Sequence, residues 1–436
     1  MLERKMTDYL RRWKDSHGQE CLLVKGARQV GKTYTINRFG AECYESFVEI
    51  NFVKSPLLAE AFAGELSAAD IKRRLSLLIP GVSFPEGRTL LFIDEIQESA
   101  AARAALKFLA LDPTIDVVAS GSLLGIGYKQ AALASVPVGY ERQVEMFGLD
   151  FEEYLWAKGY GNDALTSLAS YAERLEAVPM AVHERMLGML REYMAVGGMP
   201  AVVQRFVDTD NFSEAFETQK MILDSYRDDI ARYAPANIRA KARACYSSVP
   251  RQLAKENTKF QYGVVEKKGT ARKFDTSVDW LEEASVVWRC RHVSTPTFPL
   301  SAYEQDDRFR IYLSDMGLLT CMHGFEMMDA VVNDKLVGPM KGGYYENLIA
   351  DMLAKSGKRL RYWKSDRGDQ EIEFLLEADA AVVPVEVKAK RGATASLNNM
   401  LERGDVKVGY KLGACNVGVT GKKITLPLYL APSLCR

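Results

Sequence analysis

Eight residues near the amino terminus, Gly26-Ala27-Arg28-Gln29-Val30-Gly31-Lys32-Thr33, satisfy the pattern G-x-x-x-x-G-K-[ST] at every position. The chemistry that needs this spacing is polyphosphate binding: glycines let backbone N–H groups converge on an anion, a lysine faces the β- and γ-phosphates, and a hydroxyl ligates Mg²⁺. Lys32 is assigned the charge and Thr33 the metal. The apolar run Leu22-Leu23-Val24 directly before the pattern supplies the strand from which such a loop departs. Further on, Thr89-Leu90-Leu91-Phe92-Ile93 reads as a strand buried on both faces, and it ends in Asp94-Glu95. Asp94 is expected to order Mg²⁺ together with Thr33, and Glu95 to polarise the attacking water. Ser120 and Ser122 close the next apolar strand, Ile115 to Ala119, and are expected either to hydrogen-bond the lytic water or γ-phosphate or to cap a turn. Arg142, in Gly139-Tyr140-Glu141-Arg142-Gln143, is read either as a guanidinium acting on a neighbouring subunit or as a surface charge. No N-K-x-D-like segment for guanine is present, which favours ATP over GTP.

A second group of chemically able residues lies near the carboxyl end. In Pro384-Val385-Glu386-Val387-Lys388, strand alternation puts Glu386 and Lys388 on one face. The segment Asp369-Gln370-Glu371-Ile372-Glu373-Phe374 adds acids on the preceding strand, and Glu346 lies on the preceding helix. Carboxylates for a divalent cation beside a lysine for the phosphate are the ingredients of metal-assisted phosphodiester cleavage. Between the two groups, Lys255, Lys259, Lys267, Lys268, Arg272 and Lys273 surround Phe260 and Tyr262. A DNA-binding wing has this composition, and so does a solvated loop, since Glu256, Glu266 and Asp275 dilute the charge.

These residues need elements to hold them. Met6, Tyr9, Leu10 and Trp13 recur at helical spacing, Thr33 to Phe39 continues the loop as a helix, Phe47 to Asn51 reads as a strand, Pro56 to Ile79 as a helical stretch, and Ala100 to Ala110 as a helix. Strands alternating with helices predict a parallel α/β sheet with its ligand at the carboxyl ends of the strands. From Phe151 to Tyr233 the pattern is almost wholly helical, broken at Val196-Gly197-Gly198-Met199-Pro200. Between about Ala240 and Cys321 a helix-rich start leads to strands at Val286–Cys290 and Phe309–Leu313. Gly338-Pro339-Met340-Lys341-Gly342-Gly343 reads as a linker to a second α/β domain, with a helix over Tyr344–Ala354 and strands near Leu360–Trp363, Glu371–Leu376 and Val382–Lys388.

Composition sets the outer bounds. The 436 residues suit roughly three domains. Lys+Arg and Asp+Glu balance at 57 each, which excludes a surface built wholly to coat nucleic acid. The seven cysteines form no C-x-x-C pair, and His17, His183, His292 and His323 stand apart, so no zinc site is expected and a reducing compartment is. No apolar run approaches the ~20 residues needed to span a bilayer. A cytoplasmic chain without a membrane partner is the expectation.

Taken together, Gly26–Thr33, Asp94-Glu95-Ile96-Gln97, Ser120-Gly121-Ser122, Phe147-Gly148-Leu149-Asp150-Phe151-Glu152-Glu153-Tyr154, Gly197-Gly198-Met199-Pro200 and Tyr312-Leu313-Ser314-Asp315-Met316-Gly317-Leu318-Leu319 resemble the prokaryotic AAA-family ATPases that carry a DUF4143 domain. The resemblance covers nearly the whole chain. It implies a P-loop ATPase domain over 1–150 that takes ATP and Mg²⁺, a winged-helix-like module over 239–337 beyond the helical region 151–238, and a restriction-endonuclease-like α/β domain over 338–436. The tail is also similar to the PD-(D/E)XK nuclease arrangement, mapped onto Glu346, Glu373, Glu386 and Lys388, with Glu373 where such nucleases usually place Asp. Two functions are expected from these readings. One is Mg-dependent ATP hydrolysis coupled to DNA or to a protein partner, with oligomers open; the other is a nucleotide-operated switch or DNA-binding protein with an inactive nuclease-like tail.

Overall fold

Leu22, Leu23 and Val24 lie in β1 (Cys21–Gly26), the strand that ends in the phosphate-loop pattern, and all three are fully buried. A computed structural model describes residues 2–16, 20–122, 139–255, 259–389 and 394–435; His17 and Glu256 lie outside the described residues. The chain divides into two compact units, residues 2–148 with 283–285, and 149–282 with 286–436.

In the first unit α1 (Lys5–Asp15) precedes β1, and α2 (Lys32–Cys43) follows it. Then come β2 (Ser46–Asn51), α3 (Ala68–Leu78), β3 (Thr89–Asp94), α4 (Ala100–Ala110), β4 (Ile115–Ser122) and β5 (Glu141–Glu145). The five strands are parallel in the order β2-β3-β4-β1-β5. Every residue of β3 is buried, as its continuous apolar run requires in a sheet covered on both faces. Leu23, Ile50, Leu91 and Ile93 pack with Phe62, Ile71 and Leu106 into one core. The order inserts β4 between β1 and β3, and the register pairs Val24 with Ser120 and Ile93 with Ala119. Gly26, Asp94 and Ser122 therefore end three adjacent strands at the same edge, the carboxyl edge where parallel sheets take ligands.

Two elements differ from the sequence reading. The expected helical stretch 56–79 is broken: a 3₁₀ turn, Pro56–Phe62, stops before Gly64, whose φ is 74°, and α3 starts afresh with the Ser67 side chain accepting from Asp70 N. β5 carries only one aliphatic residue, Val144, and gave no strand signal. It is held instead by the buried pair of Arg103 and Glu141, with Nη2 and Oε1 2.5 Å apart.

The second unit begins with α5 (Phe151–Ala157), whose start is a capping box between Asp150 and Glu153. It continues through α6 (Asn162–Arg174), α7 (Met180–Val196), α8 (Pro200–Thr209), α9 (Phe212–Tyr233), α10 (Arg239–Leu253), α11 (Tyr262–Val265) and α12 (Ala271–Glu283). A hairpin of β6 (Val287–Val293) and β7 (Glu304–Leu313) leads to α13 (Met316–Met322), α14 (Phe325–Val332) and α15 (Gly338–Lys355). The remainder is β8 (Arg361–Lys364), β9 (Glu371–Ile372), β10 (Phe374–Ala378), β11 (Ala381–Lys388), α16 (Ala395–Leu401), β12 (Gly409–Gly413), β13 (Gly418–Thr420) and β14 (Lys423–Pro427). They form one sheet ordered β7-β6-β8-β9 and another ordered β10-β11-β12-β14-β13.

Two of the motifs noted above meet here. Gly197, at φ 79°, ends α7, and Gly198 N donates to Asp315 Oδ2 at 2.7 Å while Asp315 Oδ1 caps α13 by accepting from Leu318 N at 2.8 Å. Gly317 is required because a Cβ there would strike the Val196 carbonyl oxygen. Burial pushes the Asp315 carboxyl above its ordinary value, against the three backbone N–H groups and the Lys355 charge that lower it.

The expected linker at 338–343 is the first part of α15, because Gly343 packs so closely on the Leu253 carbonyl that no side chain fits. The sheet also crosses that boundary. β8 pairs in parallel with β6, Arg291 beside Arg361, so residues on either side of 338 share one sheet.

Candidate functional site

The loop of residues 26–33 is shaped by its backbone. A Cβ on Gly26 would collide with the Met146 carbonyl oxygen, and Gln29 (φ 63°) and Gly31 (φ 94°) take the left-handed conformations that turn the chain into α2. Gly31 caps α2 without a side-chain hydrogen bond, so the first backbone N–H groups of the helix are left to an anion. From behind, Arg4 Nη1 donates to Val30 O at 2.8 Å and Nη2 to Phe147 O at 2.6 Å. No local pattern links residue 4 to residue 30, and sequence reasoning missed this clamp.

Lys32 is only 9% exposed, and its Nζ donates to Ala27 O at 2.8 Å and Gly26 O at 3.0 Å. Burial pushes its pKa down to about 8; Glu95 and Asp94 act to hold it up, and Arg28 pushes the same way as burial. Asp94, 3% exposed, is the centre of the polar group. It accepts from Thr33 Oγ1 at 3.1 and 3.2 Å, from Asn51 Nδ2 at 2.8 Å and from Ser120 Oγ. Asn51 is a second residue the sequence reading left out. It ends β2 in register with Asp94, and that place at the end of an adjacent strand was the available signal.

Glu95 sits at φ 53° in the turn after β3, and its carboxylate accepts from Gln97 Nε2. Ser122 Oγ and Gln97 Oε1 are buried without a hydrogen-bond partner among the described residues, as in a polar site that is completed by a ligand. A hydroxyl and a carboxylate side by side are hard oxygen donors of the kind Mg²⁺ takes, so the residues present fit both the nucleotide and the metal. Arg142 is placed elsewhere. It pairs with Leu22 near the start of β1, whereas the loop leaves from the end of that strand, and its guanidinium is held by Glu20. It is not brought to the loop of its own chain.

The four tail residues are brought together. Lys388 Nζ lies 2.9 Å from Glu386 Oε1 and 3.5 Å from Glu373 Oε1, and Glu373 Oε2 accepts from Val387 N at 3.2 Å. Glu346 Oε2 accepts from Arg310 Nη1 at 3.2 Å and from Tyr312 OH at 3.1 Å. Burial pushes Glu373 up to about 7 against the pull of Lys388, with Glu346 and Glu386 adding to the rise. Glu386 is likewise raised by burial, and its Oε2 has no partner among the described residues. Among the described residues no three His, Cys, Asp or Glu side chains are arranged to hold a metal ion, and Lys388 and Arg310 pair with these carboxylates. The basic segment changes in meaning too. Phe260 is 3% exposed and stacks on Phe309 at 5.4 Å, so it belongs to the core and offers no face to a base, and Lys273 is paired with Glu266 at 2.6 Å. No helix among the described residues is long and apolar enough to cross a membrane.

Comparison with known proteins agrees with this geometry. Residues 18–155 match the profile of the AAA domain, residues 341–427 that of a domain of unknown function, DUF4143, and residues 187–329 that of another, DUF8612. No protein of curated function matches the sequence. Among solved structures, a Walker-type ATPase of Pyrococcus abyssi is similar at TM-score 0.44 and 14% identity, over 74% of this chain and 96% of that one. The ORC2 protein of Aeropyrum pernix, in ADPNP and ADP complexes, is similar at 0.34 and 14%, over 75% and 92%. The RuvB Holliday junction branch migration motor of Thermotoga maritima is similar at 0.30 and 12%, over 66% and 89%. Residues 18–155, nearly all in the first unit, are thus similar to AAA domains, and residues 341–427 in the second to DUF4143 domains.

Proposed function

We propose that the protein is a Mg-dependent ATPase whose nucleotide sits on residues 26–33, with turnover coupled to DNA or a protein partner bound by the second unit. One observation carries the reading. The Thr33 hydroxyl and the Asp94 carboxylate, on elements far apart in sequence, meet at 3.1 Å beside a buried lysine. Backbone N–H groups at the start of α2 and the Lys32 ammonium bind and orient the phosphates. Thr33 and Asp94 would hold Mg²⁺, which would supply positive charge against the phosphates. Ser120 and Asn51 keep the Asp94 carboxylate oriented, and Glu95 takes the proton from the attacking water. Arg142 is retained only as a residue that would act on a second copy of the chain.

The pairing of the tail carboxylates with Lys388 and Arg310 favours a second reading of the carboxyl-terminal region. In that reading its order of α15, four strands, α16 and β12 is a restriction-endonuclease-like fold used for contact, and residues 239–337 form the winged-helix-like part of a switch. ATP binding by calorimetry, and phosphate release with and without DNA, test the proposal. Parent and Lys32→Ala protein should differ by most of the affinity and all of the turnover. Equal binding in the two would move the nucleotide away from this loop, while binding without turnover would leave the switch.

A further inference from the structure

The second unit contains an open cavity that the ATPase reading does not use. Its volume is about 260 Å³, and its walls include Lys259, His292, Arg308, Arg310, Lys364 and Asp366, four cations against one carboxylate. Arg308 and Arg310 both line the cavity from β7, and Lys364 ends β8 in the same sheet. His292 closes the wall with its ring nitrogens engaged, Nδ1 with Gln305 Oε1 at 3.0 Å and Nε2 with Lys364 O at 3.2 Å.

Arg310 is the anchor. Only 1% exposed, it pairs through Nη1 with Glu346 and through Nη2 with Glu371, and its guanidinium lies 4.2 Å from the centre of the Tyr362 ring. Its Nε–H has no acceptor among the described residues. A buried charged donor left open in this way has given up water without a replacement in the protein. Lys364 shares Glu371, at 2.8 Å, while Arg308 is exposed and makes no ion pair among the described residues. The glutamates thus fix the inner cations in place, and the outer ones still face solvent.

We propose that this cavity binds a phosphate group, carried by a polynucleotide strand or by a free nucleotide, with Arg308, Lys364 and Lys259 donating to its oxygens and the buried Arg310 guanidinium adding positive charge to the wall. A tetrahedral dianion or phosphodiester accepts from several directions at once, which suits donors spread over two strands and a loop; a planar carboxylate meets fewer of them. The opening lets the group arrive attached to something larger. All these residues belong to the second unit, whereas the phosphate loop belongs to the first.

The test uses the full chain saturated with Mg·ADP, titrated with inorganic phosphate by calorimetry and with a short fluorescein-labelled 5′-phosphorylated DNA strand by anisotropy. The comparison is with the double variant Arg308→Gln, Lys259→Gln, whose exposed positions leave the fold intact; unchanged ADP affinity verifies this. Roughly tenfold weaker binding is expected in the variant, and for the strand a log–log salt slope smaller by about 0.7 for each phosphate the variant no longer neutralises. Strand binding that disappears in the variant identifies a polynucleotide phosphate, and disappearance of inorganic phosphate binding alone identifies a free nucleotide; either supports the site. Equal binding of both probes by parent and variant, or no binding by the parent, overturns it. Because the readout is a difference made in the second unit, failure of the phosphate loop to take ADP would be seen separately.

Discussion

Raising the pH through 8 is expected to weaken ATP binding, because the cation that meets the triphosphate is one the fold has made easy to discharge. Burial lowers Lys32 from 10.5 to about 8, a cost to the ammonium of roughly 3 kcal/mol at 1.36 kcal/mol for each pKa unit. Phosphate oxygens against Nζ restore the charged form, so binding above pH 8 must draw a proton from solution. Affinity should be flat below the lowered pKa and then fall by about tenfold per pH unit, giving roughly a tenfold loss between pH 7 and pH 9. The free protein should show the opposite trend. Its unfolded chain binds more protons than the folded one between about 8 and 10.5, so the penalty is fully present below that window and stability rises as pH climbs through it. Calorimetry in buffers of different ionisation enthalpy reads the proton uptake directly, about half a proton per ATP near pH 8. Lys32→Arg keeps its charge throughout, and its affinity should not follow the same curve. A parent affinity constant from pH 7 to about 9.5, or the same slope in Lys32→Arg, would refute the reasoning.

Three further outcomes follow from the same geometry. Glu95→Gln should leave ATP affinity unchanged and slow single-turnover hydrolysis by about 10²–10⁴-fold, and equal rates would remove Glu95 from the chemistry. Asp315→Ala leaves the buried N–H groups of Gly198 and Leu318 without an acceptor, so the urea midpoint of the second unit should drop by the equivalent of about 2–5 kcal/mol at unchanged slope; a midpoint that stays put would deny the Asp315 carboxylate its role. In the tail, Glu373 loses its proton only near pH 7, so any Mn²⁺ binding should strengthen as pH rises from about 6 to 8 and weaken in Glu386→Ala. Calorimetry that detects no Mn²⁺ in either protein would leave this region as a contact domain.

What could be read in advance depended on how far apart the cooperating residues are. The eight-residue loop, the apolar run before Asp94 and the same-face placement of Glu386 and Lys388 are local patterns, set by the backbone period and the few residue types the chemistry accepts. So was the alternation of helix and strand that announces a parallel sheet. Long-range partners carry no such period. Arg4 reaches Val30 and Phe147, Asn51 reaches Asp94, and Asp315 reaches Gly198 only because strands and helices distant in sequence are packed against one another. β5 escaped notice since its stability comes from a neighbouring strand and the Arg103–Glu141 pair, with little from its own composition. The glycines of 338–343 looked like a linker by propensity, which tertiary packing on Leu253 overrides. For the tail, the pattern brought four residues to one place, but whether a carboxylate faces a metal or a guanidinium is decided by the strand that lies beside it. Arg310 on β7, from the other side of the expected domain boundary, made that choice for Glu346. The sequence by itself determined which chemistry each segment can perform, and only the tertiary structure decided the partners, burial and charge under which each group performs it, because those are properties of residues brought together by folding.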